Sequence, residues 1–198
     1  MRVVDRIRTL WRGEAKCFAG HRSPAGRMEV RRASGDGRGF ALRVSNLRDG
    51  IKRALRGVRP DLVIALGQAD RRLAITPERV AINIDDARIP DNAGSQPEDR
   101  PVVRGGPAAY WSTLPTKEIV ARLRKRGIPA DVSQTAGTFV CNHLFYVLMH
   151  ELRRGPRIRA GFVHLPTLPA RGRHRLNLAA ITAGVQVVVE TAMLAPRD

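Results

Sequence analysis

Asp61-Leu62-Val63-Ile64-Ala65-Leu66-Gly67 is the stretch that decides the fold. An unbroken apolar run this short, closed by a glycine, lacks the alternation of a half-solvated strand and the length of a buried helix. It predicts a strand covered on both faces, as in a parallel sheet between helical layers. Upstream, Leu47, Ile51, Leu55 and Val58 recur at helical spacing from Ser45, and Gly57 and Pro60 end the run, which predicts an amphipathic helix. Downstream, Val80 to Ile84 reads as a second strand and Arg88 to Pro107 as a polar loop rich in Pro, Gly and Asp. Thr116 to Arg126 reads as a basic helix with Ile119, Val120 and Leu123 inward, ended by Gly127 and Pro129.

The alternation continues to the C-terminus. Ala130 to Gln134 is an expected strand, Thr138 to Leu152 an apolar helix stopped by Gly155-Pro156, Ala160 to Leu165 a buried strand, and Leu178 to Met193 a closing helix. Strands and helices in turn predict an α/β domain, a mixed and largely parallel sheet flanked by helices on both faces. Its 198 residues suit one domain, and there is no internal repeat. Residues 1–43 read differently: Arg, Gly, Ser and Ala are interleaved without period, as in His21-Arg-Ser-Pro-Ala-Gly-Arg-Met28. No element is expected there. The chain is therefore divided into a poorly ordered segment over 1–43 and an α/β domain over 44–198.

A hydrophobic fraction of 43% and a charged fraction of 27% exclude wholesale disorder. The formal net charge of +17 raises nucleic acid or an anionic membrane as a partner. Its distribution argues against both. Arginine dominates from Arg2 to Arg59, whereas Ile75 to Asp99 carries Glu78, Asp85, Asp86, Asp91, Glu98 and Asp99. No recognition motif and few stacking aromatics accompany the charge, so a basic nucleic-acid-binding protein is the most distant reading. Cys17 and Cys141 are too few for a disulfide framework. Residues 1–20 lack an apolar signal core, and the apolar run from Ala183 to Leu194 is short and holds Gln186 and Glu190. A soluble cytoplasmic protein is the expectation.

Cys141, in Ala136-Gly-Thr-Phe-Val-Cys-Asn142, falls in the first turn of the apolar helix. Unpaired amide hydrogens and the positive end of the dipole gather there and favour thiolate, so this is a candidate nucleophile. A lone cysteine on an apolar helix is also an ordinary small buried hydrophobe. A base must come from His21, His143, His150, His164 or His174. His143 lies on the same helix about 200° around the axis from Cys141 and should point away. His164 ends the strand Gly161-Phe-Val-His-Leu-Pro166, at the carboxyl edge where α/β sheets place their chemistry, though a structural histidine at a strand end reads equally well. The carboxylate to orient such an imidazole could be any of several, and Glu78 is distinguished only by its place before an expected strand. Cys141 and His143 are of metal-ligating type, but the other ligands of a tetrahedral site are not evident, and no metal or cofactor is expected.

Taken together, Pro60-Asp-Leu-Val-Ile-Ala-Leu-Gly-Gln-Ala69, Glu78-Arg-Val-Ala-Ile-Asn83, Asp86-Ala-Arg-Ile-Pro-Asp-Asn92, Ser112-Thr-Leu-Pro115, Ala136-Gly-Thr-Phe-Val-Cys-Asn142 and Gly161-Phe-Val-His-Leu-Pro166 strongly resemble the pyroglutamyl peptidase I family of cysteine peptidases. The resemblance runs from about Ser45 to the end. It implies Cys141 as nucleophile, His164 as general acid and base, and Glu78 as the residue that orients it. It further implies a pyroglutamyl pocket lined by Phe139, Val140, Ile89 and Gln68 with Arg88 beside it, N-terminally pyroglutamylated peptides as substrates, and homodimers or homotetramers. A flat, uncharged lactam suits an apolar slot with a few backbone partners. Members of that family begin with a strand leading into a Gly-Phe-Glu-Pro-Phe-Gly-Gly-like loop that closes the pocket. Nothing between Met1 and Phe40 matches it, so the first family strand should be missing or replaced, with an open sheet edge as the result.

Overall fold

A computed structural model of the chain describes residues 16–22, 28–32, 44–58, 60–69, 72–91, 94–154, 158–167 and 176–196. The deciding stretch is strand β3 (Leu62–Ala69), at the centre of a five-stranded sheet. On one side it pairs in parallel with β7 (Arg159–Pro166), in register from Leu62 against Arg159 to Ala69 against Pro166. Beyond β7 the short β4 (Thr76–Pro77) runs antiparallel and closes that edge. On the other side β3 pairs antiparallel with β1 (Lys16–Arg22), and β1 pairs antiparallel with β2 (Met28–Arg32).

The two N-terminal strands correct the expectation that residues 1–43 hold no element and leave β3 with an open edge. Ladder bonds use the backbone N–H and C=O that nearly every residue carries, so Arg-rich segments without apolar period can still pair. Residues 16–22 and 28–32 thus supply strands of their own in place of a recognisable family strand. A second difference concerns Val80 to Ile84. Its strand, β5 (Val80–Ile82), leaves the main sheet and pairs with β6 (Ala109–Trp111) in a separate two-stranded ribbon. Ala130 to Gln134 likewise makes no full strand but two isolated parallel bridges, Ile75 to Ala130 and Glu78 to Ser133. These bridges are carried by Ile75 N to Pro129 O at 2.9 Å and Arg79 N to Ser133 O at 2.9 Å.

The unbroken apolar run of β3 reflects burial on both faces. Leu62, Ile64 and Leu66, with Val163 and Leu165 of β7, face α2 (Thr116–Lys125) and α4 (Leu178–Leu194) in one core containing Ile119, Leu123, Ile181 and Val188. Val63 and Ala65, with Ala160 and Phe162, face α1 (Val44–Val58) and α3 (Val140–Leu152) in a second core containing Leu47, Ile51, Leu144, Phe145 and Leu148. Each fully buried side chain of this size stabilises the fold by about 1.5–3 kcal/mol, so two cores sharing one sheet make β3 costly to displace. The alternation along β3 and β7 also places Gly67 and His164 on the α3 side, at the carboxyl ends of the two parallel strands.

Candidate active site

His164 and Glu78 meet because β4 stops beside β7. Thr76 pairs with His164, Pro77 with Val163, and Glu78 N donates to Phe162 O at 2.8 Å, which leaves the Glu78 side chain next to the imidazole. His164 Nδ1 lies 2.7 Å from Glu78 Oε1, with Glu78 0% and His164 5% exposed. A carboxylate can only accept, so the proton sits on Nδ1 and Nε2 is left as the basic nitrogen. Glu78 Oε2 is buried with no hydrogen-bond partner among the described residues.

Cys141 reaches the same place from α3. Gly67 is the register partner of His164, and a Cβ on Gly67 would stand 3.1 Å from Cys141 Sγ. The Phe162 ring and the Cys141 sulfur thus crowd the space a side chain at position 67 would need, on the face that carries His164. Phe139, at the helix N-cap, is extended at φ −121 and ψ −152, and the first helical bond is His143 N to Phe139 O at 2.9 Å. The amides of Val140, Cys141 and Asn142 lie ahead of that bond, where a helix presents N–H groups to a ligand. The expectation that this helix start favours thiolate is corrected. Burial first, and then the Glu78 carboxylate, push the thiol up from 9.0 to about 12. Taking the charged sulfur out of water disfavours thiolate, and the neighbouring carboxylate acts in the same direction.

The expected pocket residues surround this centre unevenly. Val140 is buried and Phe139 half-buried directly before the sulfur, while Gln68 is half-buried next to Gly67. The loop bearing Arg88 and Ile89 is tied to the same spot by Asp86 N to Thr138 O at 2.7 Å and Thr138 Oγ1 to Asp86 O at 2.9 Å. Arg88 is exposed, and Ile89 is 64% exposed. Of the other histidines, His150 bonds Tyr110 at 2.9 Å, His21 lies in β1 opposite Glu29 of β2, and His174 lies outside the described residues.

Two buried arrangements next to Cys141 escape motif reading. Asn142 Oδ1 accepts from Ile82 N at 3.0 Å, and its Nδ2 donates to Ile82 O at 2.8 Å and Ile84 O at 3.0 Å. His143 instead has its Nδ1 2.7 Å from Asp85 Oδ2. Both fasten α3 to the segment leading into the Arg88–Ile89 loop. No single-residue signal marks them, because each depends on a partner some sixty positions away.

Residues 31–195 match the pyroglutamyl peptidase family, a span that begins upstream of Ser45. The chain is 55% identical over 154 residues to the pyrrolidone-carboxylate peptidase of Bacillus cereus, covering 75% of this chain and 72% of that protein. It is 56% identical over 145 residues to the enzyme of the same name from Bacillus cytotoxicus, covering 70% and 67%. The crystal structure of pyroglutamyl peptidase I from Bacillus amyloliquefaciens superposes with a TM-score of 0.72 at 49% identity, over 75% of this chain and 73% of that one. A mutant pyrrolidone carboxyl peptidase from Pyrococcus furiosus gives 0.70 at 36% identity, over 74% and 75%. The chain belongs to the pyroglutamyl peptidase family.

Proposed function

We propose that this chain is a cysteine peptidase that removes an N-terminal pyroglutamyl residue from peptides, with Cys141 as nucleophile, His164 as acid and base, and Glu78 as the residue that orients His164. The observation that carries the reading is the 2.7 Å contact between His164 Nδ1 and a fully buried Glu78, with Cys141 Sγ against the glycine paired with His164. Because the thiol is held up at about 12, its proton leaves as attack begins rather than beforehand. His164 Nε2 takes that proton while sulfur bonds to the pyroglutamyl carbonyl carbon. The oxyanion is received by amides at the start of α3, and the imidazolium, steadied by Glu78, then protonates the departing amine. Water activated by His164 releases 5-oxoproline and restores the thiol. Phe139, Val140, Gln68 and Ile89, with Arg88 alongside, receive the lactam.

The test is hydrolysis of a pyroglutamyl-aminocoumarin substrate. Cys141→Ser and His164→Ala should each lower the rate by orders of magnitude because nucleophile and base act as one unit, and Glu78→Gln should cost less. Unchanged activity in either of the first two variants rules out the mechanism.

A second reading, a weakly active or inactive homologue, is favoured by the N-terminal sequence. No Gly-Phe-Glu-Pro-Phe-Gly-Gly-like loop precedes Phe40, and the most exposed of the proposed lining residues, Ile89, has 64% of its surface open. Replacing residues 1–43 with a family-like segment carrying that loop should raise kcat/KM. Equal rates for the original and the replaced chain would show that this chain supplies its own pocket wall.

A further inference from the structure

Arg72 lies between β3 and β4, and one of its guanidinium nitrogens joins three parts of the site. Nη2 donates to Glu78 Oε1 at 3.2 Å, to Ser133 Oγ at 2.9 Å and to the Thr135 carbonyl at 3.1 Å. Ser133 Oγ in turn donates to Thr135 O at 3.1 Å, and Gly137, at φ +81, donates its N–H to Thr135 Oγ1 at 3.0 Å just before α3 begins.

Glu78 has no exposed surface, whereas the Arg72 side chain keeps 30% of its own. The guanidinium thus caps the carboxylate from the solvent side. Among the described residues the ion-pair partners of Glu78 are His164 and Arg72, both on Oε1. An imidazole acting as a base is neutral, so the lasting positive charge beside this buried carboxylate is the guanidinium. A buried carboxylate that loses its one fixed counter-charge is strongly destabilised and drifts from its partner.

We infer that Arg72 is a positioning residue for the hydrolysis, anchoring the Glu78 carboxylate in line with His164 and tying that pair, through Ser133 and Thr135, to the loop that starts the nucleophile helix. The inference rests on the proposed roles of Glu78 and His164. It assigns no contact between Arg72 and substrate, so the substitution should act on turnover and not on affinity.

The experiment compares the full chain with Arg72→Met, Arg72→Gln, Glu78→Gln and the double variant Arg72→Met/Glu78→Gln, by steady-state kinetics on pyroglutamyl-aminocoumarin and by thermal melts. Arg72→Gln keeps donors for Ser133 and Thr135 but loses the charge, and so covers the case in which Arg72→Met does not fold. Both single Arg72 variants should lose roughly tenfold or more in kcat with little change in KM, the rate equivalent of one hydrogen bond to a charged group. The Tm loss caused by Arg72→Met should be at least halved in the Glu78→Gln background, where no buried charge remains to be stranded. An unchanged kcat in Arg72→Gln, a rise confined to KM, or equal Tm losses in both backgrounds would overturn the inference. If the unsubstituted chain does not exceed a Cys141→Ser blank, the peptidase reading fails, and the melts alone decide whether Arg72 anchors Glu78.

Discussion

Gly67→Ala places one methyl group at the most crowded point of the site. The added Cβ would stand 2.6 Å from Phe162 Cζ, 3.0 Å from Phe162 Cε1 and 3.1 Å from Cys141 Sγ. Carbon atoms settle at about 3.5–4.0 Å, so the ring must retreat by roughly 1 Å and the sulfur by several tenths. Gly67 is not among the glycines of positive φ, so the backbone tolerates alanine and the whole effect is steric. Phe162 has little room to yield: it is fully buried, with Phe145 at 6.0 Å and His164 at 4.8 Å between ring centroids. Overpacking of this kind costs about 1–3 kcal/mol, which in a domain of this size corresponds to a Tm loss of roughly 2–12 °C. The displaced ring presses on His164 and the methyl on sulfur, and a misplacement near 1 Å between reacting groups costs about a hundredfold in rate. Melts and kcat/KM on the pyroglutamyl-aminocoumarin substrate measure both effects. Phe162→Leu in the same background removes the clashing ring atoms and should recover part of the lost Tm. Wild-type kcat/KM in Gly67→Ala would refute the placement of Cys141 against Gly67, whatever the melt shows.

Cys141 alkylation by iodoacetamide should accelerate close to tenfold per pH unit between pH 7 and 9, because a thiol held at about 12 gains thiolate in proportion to hydroxide over that range. A plateau reached near neutral pH, read by peptide mapping, would show an already ionised sulfur and contradict that direction. Asn142→Ala should destabilise the chain by about 1–3 kcal/mol, since it removes three bonds to part-buried backbone groups of Ile82 and Ile84 and empties a fully buried position. Its KM should rise as the Arg88–Ile89 loop loosens; a denaturant midpoint within error of wild type would mean the three bonds are dispensable.

The apolar runs and their punctuation were enough to determine the two parallel strands β3 and β7 and the four helices, because both faces of the central sheet are buried and burial on both faces is written directly into composition. The same reading singled out Cys141 and His164, one at a helix start and the other at a strand end, since those positions are local. Glu78 was legible only through resemblance: its contact with His164 spans 86 positions and arises from β4 stopping one residue short of it. The strands β1 and β2 were illegible for the opposite reason. Their residues carry no apolar period, and the pairing of β1 with β3 and of β2 with β1 is made by backbone groups that nearly every residue offers. Only the tertiary structure could decide the state of the Cys141 thiol. The helix start visible in the sequence suggests thiolate, but the burial that raises the thiol comes from side chains distant in sequence, and so does the nearby carboxylate. Gly67 belongs to the same class: as a letter it closes a strand, while in three dimensions the space a side chain would need there is crowded by the Phe162 ring and the Cys141 sulfur.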